Sequence, residues 1–258
     1  MGMYYLPKGM RPSTLEERRQ FYKSEFNLEG VRNWLSGWRG KVSFAVIIGR
    51  HTRIYPPEYE EDASTTIIIE NYESLDEVRE WILEFLPESV YYDRNLYDEE
   101  RRILGQELAF DVDPENFTCP IHGSLEDKMR RYQGLSFCEL ELNMAKRETL
   151  RLYEALSENF TRLRVVYSGR GFHVHVFDED IFSWSYEMRR ALANEMKNRG
   201  FTFDEWVTSG GMRLIRLPYS LHGMVSRIVI PVDPSDLEEF NPVDDERCIP
   251  AFLRRVVK

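Results

Sequence analysis

The sequence predicts an α+β fold, a mixed α/β arrangement with a central mixed or antiparallel sheet flanked by helices. Three observations predict it. Short β-branched runs recur along the chain, as in VSFAVII at 42–48, LRVVY at 163–167 and RIVIPV at 227–232. Longer stretches carry apolar residues at helical spacing, most clearly LDEVREWILEF at 75–85. The two kinds of element follow one another without strict alternation, unlike a chain built of repeated parallel crossovers.

Taken in order, residues 13–26 (STLEERRQFYKSEF) read as a helix, with Ser or Thr at its start and Glu three residues on. VSFAVII and TTIII at 65–69 read as strands. The segment 56–64 between them holds two prolines and a run of acidic residues and reads as a loop. At 75–85, Ser74 and Glu77 supply a capping box, and Leu75, Val78, Trp81, Ile82 and Phe85 form one apolar stripe. Residues 107–113 (ELAFDVD) alternate as a strand, and 140–160 read as a helix. LRVVY and FHVHVF at 172–177 read as two strands joined by the turn Ser168-Gly169-Arg170-Gly171. A helix is predicted at 186–199, then strands at 212–217 (MRLIRL) and 227–232, separated by PYSLHGMVS. There is no internal repeat and no low-complexity stretch. One domain over 1–258 is therefore expected, with the helical stretch 180–200 as the only candidate boundary.

The composition is that of a globular protein, 42% hydrophobic and 30% charged. No apolar run approaches the roughly 18 residues of a membrane helix. The opening MGMYYLPKGMRPSTLEERR lacks the apolar core of a signal peptide. A cytoplasmic protein with no membrane partner is the expectation. Three cysteines, an odd number, argue against a disulfide framework. The net charge of −10 gives no overall basic footprint, so any nucleic-acid surface has to be a local one.

Asp111 and Asp113 stand two apart on a predicted strand, so their side chains share a face, while Leu108, Phe110 and Val112 point to the core. Adjacent carboxylates repel unless a cation sits between them, and hard oxygen donors suit Mg²⁺ or Mn²⁺. The plain alternative is a solvated strand end. In the turn 168–171, two glycines let backbone N–H groups approach an anion, and Ser168, Arg170 and the following His173 can all donate to phosphate. The plain alternative is a glycine hairpin with a chance arginine. His175 on the same face reads as structural. RLIRLPYSLHG at 213–223 sets Arg216 and His222, natural triphosphate ligands, around a proline turn, with Asp204 within reach upstream. Cys119-Pro-Ile-His122 followed by Cys138-Glu-Leu-Glu141 resembles a zinc site with a wide gap. Glu141 either supplies the fourth ligand or marks a degenerate site.

These pieces, in this order, resemble the small catalytic subunit of archaeal and eukaryotic DNA primases. EERRQFYKSEFNLEGVRNW resembles that family's opening helix, and YESLDEVREWILEFLPESVYYDRNLYD its next helix and strand. ELAFDVD resembles the first catalytic motif, VVYSGRGFHVHVFD the second and FDEWVTSGGMRLIRLPYSLHG the third. The tail FNPVDDERCIPAFLRR resembles the closing segment.

The resemblance implies a single primase-type catalytic domain over 1–258, with a zinc-knuckle-like insertion at 119–141. It implies Asp111, Asp113 and Asp204 as catalytic ligands of Mg²⁺ or Mn²⁺. Ser168, Arg170, His173, Arg216 and His222 are then nucleotide-binding, and Cys119, His122, Cys138 and Glu141 are ligands of a structural zinc. The implied activity is template-directed nucleotidyl transfer that synthesises or extends primers. The implied partners are single-stranded DNA, nucleoside triphosphates and a primase large subunit. The alternatives are a stand-alone primase-polymerase of repair or of a mobile element, and a non-catalytic nucleotide- or nucleic-acid-binding relative. Family members usually carry a longer helical subdomain between the second and third motifs. Here about two dozen residues, 178–203, fill the gap, so that subdomain is expected to be reduced or absent. An arginine that the family often has near 65–69 is replaced by TTIII, with Arg50, His51 or Arg53 as candidate substitutes.

Overall fold

A computed structural model describes residues 4–36 and 42–254; position 255, at the end of the closing segment, lies outside them. The elements run α1 (Leu15–Ser24), α2 (Leu28–Leu35), β1 (Phe44–Ile47), β2 (Ile67–Ile69), α3 (Leu75–Phe85), β3 (Ser89–Asp93), β4 (Asn95–Tyr97), β5 (Ile103–Gln106) and β6 (Leu108–Val112). They continue α4 (Leu125–Arg130), α5 (Glu139–Ser157), β7 (Leu163–Tyr167), β8 (Phe172–Val176), α6 (Tyr186–Asn198), α7 (Glu205–Ser209), β9 (Leu214–Arg216), β10 (Leu221–His222), β11 (Arg227–Ile228), β12 (Ile230–Val232) and α8 (Ala251–Arg254). Among the described residues, no helix is long and apolar enough to cross a membrane.

The fold is the mixed α+β type expected, but two four-stranded sheets stand where one central sheet was predicted. The chain forms two compact units interleaved in sequence. The first comprises Gln106–Met212 with Pro231–Val243 and the described N-terminal residues up to Met10; the second comprises the remaining described residues. The stretch 180–200, the boundary candidate, falls wholly inside the first unit.

In the first unit the strand order is β12-β7-β8-β6, and the β6–β8 and β7–β8 pairs are antiparallel. The register aligns Leu108 with Val176, Phe110 with Val174 and Val112 with Phe172. All six are fully buried, and full burial of an apolar side chain of this size contributes roughly 1.5–3 kcal/mol. Phe203 closes edge-on over Phe110 at 5.1 Å, and Phe240 over Tyr167 at 5.4 Å. The 19-residue helix α5 packs against β6, β7 and β8. Alternation turns Ala109, Asp111, His173 and His175 to the other face. There His175 Nδ1 meets Glu107 Oε1, both side chains fully buried, which is the structural role expected of it. Between the second and third motifs lie a 3₁₀ turn, Glu179–Ser183, and α6 of 13 residues, a compact linker as expected. Arg189 of α6 is buried and donates to the carbonyls of Gln106, Glu107, Ile181 and Trp184, tying the helix to the start of β6.

In the second unit the order is β2-β1-β3-β9, and the β1–β2, β1–β3 and β3–β9 pairs are antiparallel. Two buried charges organise its loops. Arg18 of α1 donates to the carbonyls of Ile48, Ile54 and Leu86 and to the hydroxyls of Ser13 and Thr52. Burial pulls its pKa down to about 10. Glu88 accepts from the backbone N–H groups of His51 and Thr52, the Thr52 hydroxyl and His51 Nδ1. Burial pushes the Glu88 carboxyl up, but these bonds outweigh it and leave the pKa at about 2, against an ordinary 4.5.

A folded-state pKa below the unfolded one gives stability that is present above the unfolded value and is lost as pH falls toward the folded value. Glu88→Gln is therefore expected to cost about 3 kcal/mol at pH 7. The gap from wild type should close as pH drops from about 4.5 toward 2. Urea unfolding across that range measures it; a gap independent of pH would show that Glu88 contributes by packing alone.

Candidate active site

The site grows from the end of β6. The strand carries Asp111 on the face away from the core, half-buried, opposite His173 of β8 in the register. His173 Nε2 lies 3.6 Å from Asp111 Oδ1. Asp113, two residues on, caps a 3₁₀ turn, Pro114–Asn116, and its backbone N–H donates to Asn116 Oδ1 at 2.8 Å.

Asp204 comes from far along the chain but is clipped to the same strand: its backbone N–H donates to the Asp111 carbonyl at 2.8 Å. Its side chain is exposed, and Oδ1 accepts from Trp206 N–H at 2.8 Å, capping α7. The first unit thus brings the Asp204 backbone to the strand that carries Asp111 and leads into Asp113, while the Asp204 carboxylate turns to cap α7.

The turn between β7 and β8 faces them. Ser168 N–H donates to the Gly171 carbonyl at 2.9 Å, and Gly171 N–H donates to Ser168 Oγ at 3.1 Å. Gly169 has φ +100°, which a residue with a Cβ adopts only under strain. Gly171 is needed for a different reason. A Cβ there would sit 2.9 Å from Asp113 Cα, and closer still to Asp113 Oδ1 and the Val112 carbonyl. The turn therefore presses directly on the second carboxylate.

Arg170 lies in this turn, 10% exposed in its side chain, paired with Glu115 and placed over the Phe137 ring at 5.5 Å. Burial works against its charge. The carboxylates of Glu115, Asp113 and Asp111 outweigh it and hold its pKa above the ordinary arginine value. A buried guanidinium beside several acids is a strong anchor for a further anion, or for the acids themselves once cations neutralise them. Asp111, Asp113 and Asp204 offer only hard oxygen donors, the kind that Mg²⁺ or Mn²⁺ takes.

Arg216 and His222 belong to the second unit. Arg216 donates to Tyr91 Oη at 3.1 Å and lies over the same ring at 4.8 Å. His222 is buried in the β10–β11 pair opposite Arg227. Arg50 and His51, the candidate substitutes near TTIII, are engaged by Ser64 and Thr66 and by Glu88 respectively.

The predicted zinc ligands converge. One donor atom each from Cys119, His122, Cys138 and Glu141 lies within 4.8 Å of the others. Cys119 Sγ is 3.4 Å from His122 Nδ1 and 3.9 Å from Cys138 Sγ; His122 Nδ1 is 3.9 Å from Glu141 Oε2. Zinc bonds of about 2.0 Å to nitrogen and oxygen and about 2.3 Å to sulfur set tetrahedral edges of roughly 3.3–3.8 Å. The set fits. A backbone bridge between Cys119 and Gly123 shapes the first arm, and the capping box of α5 shapes the second. Tyr5 stacks on His122 at 4.2 Å. Burial pushes the Cys138 thiol up to about 11, a bias that a bound cation reverses.

Three residues of these sites escape sequence reading. Glu115, Arg170's partner, is one more acid in an acidic chain. Lys128, within the basic run KMRR, is fully buried. Trp206, two positions from Asp204, is 62% exposed.

The family model described as DNA primase small subunit matches residues 110–203, a span holding Asp111, Asp113, Ser168, Arg170 and His173. A DNA primase small subunit-like protein from Archaeoglobus fulgidus is 52% identical, covering 97% of this chain and 94% of its own. The DNA primase small subunit PriS of Pyrobaculum calidifontis is 28% identical, over 65% of this chain and 67% of its own. Among solved structures, the polymerase domain of Mycobacterium tuberculosis Ligase D, in complex with DNA, superposes with a TM-score of 0.53 at 16% identity. That likeness, over 94% of this chain and 88% of that one, is one of fold. With half of its residues shared along nearly its whole length with one such relative, the chain belongs to the DNA primase small subunit family, a family of nucleotidyltransferases.

Proposed function

We propose that this protein is a template-directed nucleotidyl transferase that synthesises or extends primers on single-stranded DNA, with Asp111, Asp113 and Asp204 as ligands of Mg²⁺ or Mn²⁺. The observation that carries the reading is the Asp204–Asp111 backbone bond, which joins the third motif's acid to the first motif's strand. When bound, divalent cations supply activation of an attacking hydroxyl and charge neutralisation at the transferred phosphate and its leaving group.

The chain's own residues supply placement. The Ser168–Gly171 turn and His173 hold an incoming triphosphate beside the acids, and Arg170 gives a fixed positive charge that needs no reorganisation during reaction. For Arg216 and His222 the phosphate role rests on the motif RLIRLPYSLHG alone. Cys119, His122, Cys138 and Glu141 hold a zinc ion that fixes the knuckle between β6 and α5. A primase large subunit is the expected protein partner.

The decisive assay is nucleotide incorporation on single-stranded DNA with Mn²⁺, with and without primer and with both nucleotide types. Template-dependent product is expected. Product only with a primer would favour the stand-alone polymerase reading. Nucleotide binding without product would favour a non-catalytic relative. Arg170→Ala is expected to weaken nucleotide binding about 10- to 100-fold, the worth of one or two bonds to a charged group. An unchanged Kd in titration calorimetry would remove Arg170 from the phosphate site.

A further inference from the structure

Lys128 is fully buried, and so is the carboxylate that it meets: Nζ lies 2.6 Å from Glu141 Oε1. The same ammonium donates to the Ser136 carbonyl at 3.2 Å. A buried lysine is costly unless a nearby negative charge requires it. Glu141 divides its two oxygens. Oε1 takes Lys128; Oε2 accepts from Cys138 N–H at 2.9 Å and faces His122 Nδ1 at 3.9 Å, on the side of the two sulfurs. The carboxylate is thus oriented to offer the cluster one oxygen and only one.

Charge counting gives the lysine a purpose. Two thiolates and a carboxylate carry three negative charges, a divalent ion returns two, and the neutral imidazole adds none. One negative charge remains in a buried place, and Lys128 cancels it. We propose that Glu141 is the fourth metal ligand, monodentate through Oε2, and that Lys128 is the positioning residue that holds it so and makes the loaded site neutral. The proposal rests on the zinc reading above and goes beyond it by assigning the outer partner.

The test uses the full chain loaded with Zn²⁺ or with Co²⁺ as a spectroscopic substitute. Zinc affinity is read by competition with a chromophoric chelator, and coordination by the visible bands of cobalt. Wild type is expected to hold one zinc per chain at this cluster and to give a tetrahedral cobalt spectrum. Lys128→Met is expected to lower zinc affinity about 10- to 100-fold, the usual effect of losing an outer partner of a ligand, and to weaken the tetrahedral bands. Lys128→Arg should restore most of both.

A wild-type protein that binds no zinc would defeat the metal reading itself. Tight binding by wild type with an unchanged affinity and spectrum in Lys128→Met would overturn the proposal and leave the zinc reading standing. Should Lys128→Met fail to fold, Glu141→Cys decides the ligand. Its sulfur-to-cobalt charge-transfer band should grow by roughly one half, three thiolates replacing two, and an unchanged band would exclude position 141.

Discussion

Asp111→Ala and Asp113→Ala are each expected to reduce templated incorporation by at least about 10³-fold, to assay background, while the protein stays folded. The two effects separate because of where the side chains lie. Asp111 leaves the core face of β6 to Phe110 and Val112, so its loss opens no apolar cavity. Deleting one acid relieves like-charge repulsion from the other. It also removes attraction to Arg170, whose charge both acids support. These opposing terms should keep the metal-free melting temperature within about 2–4 °C of wild type. Calorimetry beside the incorporation assay reads both; wild-type incorporation by either variant would remove the aspartates from catalysis.

The second large effect is expected from the smallest change, Gly171→Ala. The added methyl has no room: the Asp113 backbone and side chain and the Val112 carbonyl occupy its place. β6 cannot yield easily, because it is hydrogen-bonded along its length to β8. Overpacking of this kind costs about 1–3 kcal/mol. The loss of kcat should be larger, on the order of 10²-fold, since displacement of a catalytic group by about 1 Å has that effect. Both are measured well below the melting transition. Unchanged kcat with unchanged stability would show that the turn does not set the position of Asp113.

Much of the scaffold of this site could be read from the chain. The helix predicted at 75–85 has those bounds, because Ser74 caps it by accepting from Glu77 N–H and Leu86 ends it in the left-handed region. Strands β6, β7 and β8 lie within a residue of their predicted limits: β6 and β8 alternate, and β7 is a short run of β-formers around Val165 and Val166. The stretch 16–34, read by resemblance as one opening helix, forms two: α1 ends at Ser24, and α2 starts afresh from an Asn27 cap, its LEGVRNWL short and glycine-bearing. Strand β3, SVYYD, falls in the stretch YESLDEVREWILEFLPESVYYDRNLYD, which the resemblance reads as a helix followed by a strand. The run 227–232 reads as one strand but serves two sheets, β11 pairing with β10 and β12 lying beside β7. No local pattern encodes that division.

The two-unit organisation was equally hidden. The chain crosses between units without a linker, so composition does not change where the unit does. At the site, residue types and order indicated the acids and the glycine turn. Pairing of Arg170 with Glu115 and of Lys128 with Glu141 depends on side chains brought together by packing, which spacing alone does not reveal.

The clip from the Asp204 amide to the Asp111 carbonyl has an evolutionary consequence. It joins main chain to main chain, so it is indifferent to the side chain at either position and to how much polypeptide lies between. The region bridging the second and third motifs can lengthen into an elaborate subdomain or shrink to a single helix without disturbing the approach of Asp204 to the strand of Asp111. A lineage can thus remodel its accessory surfaces and leave this junction of the two motifs as it was.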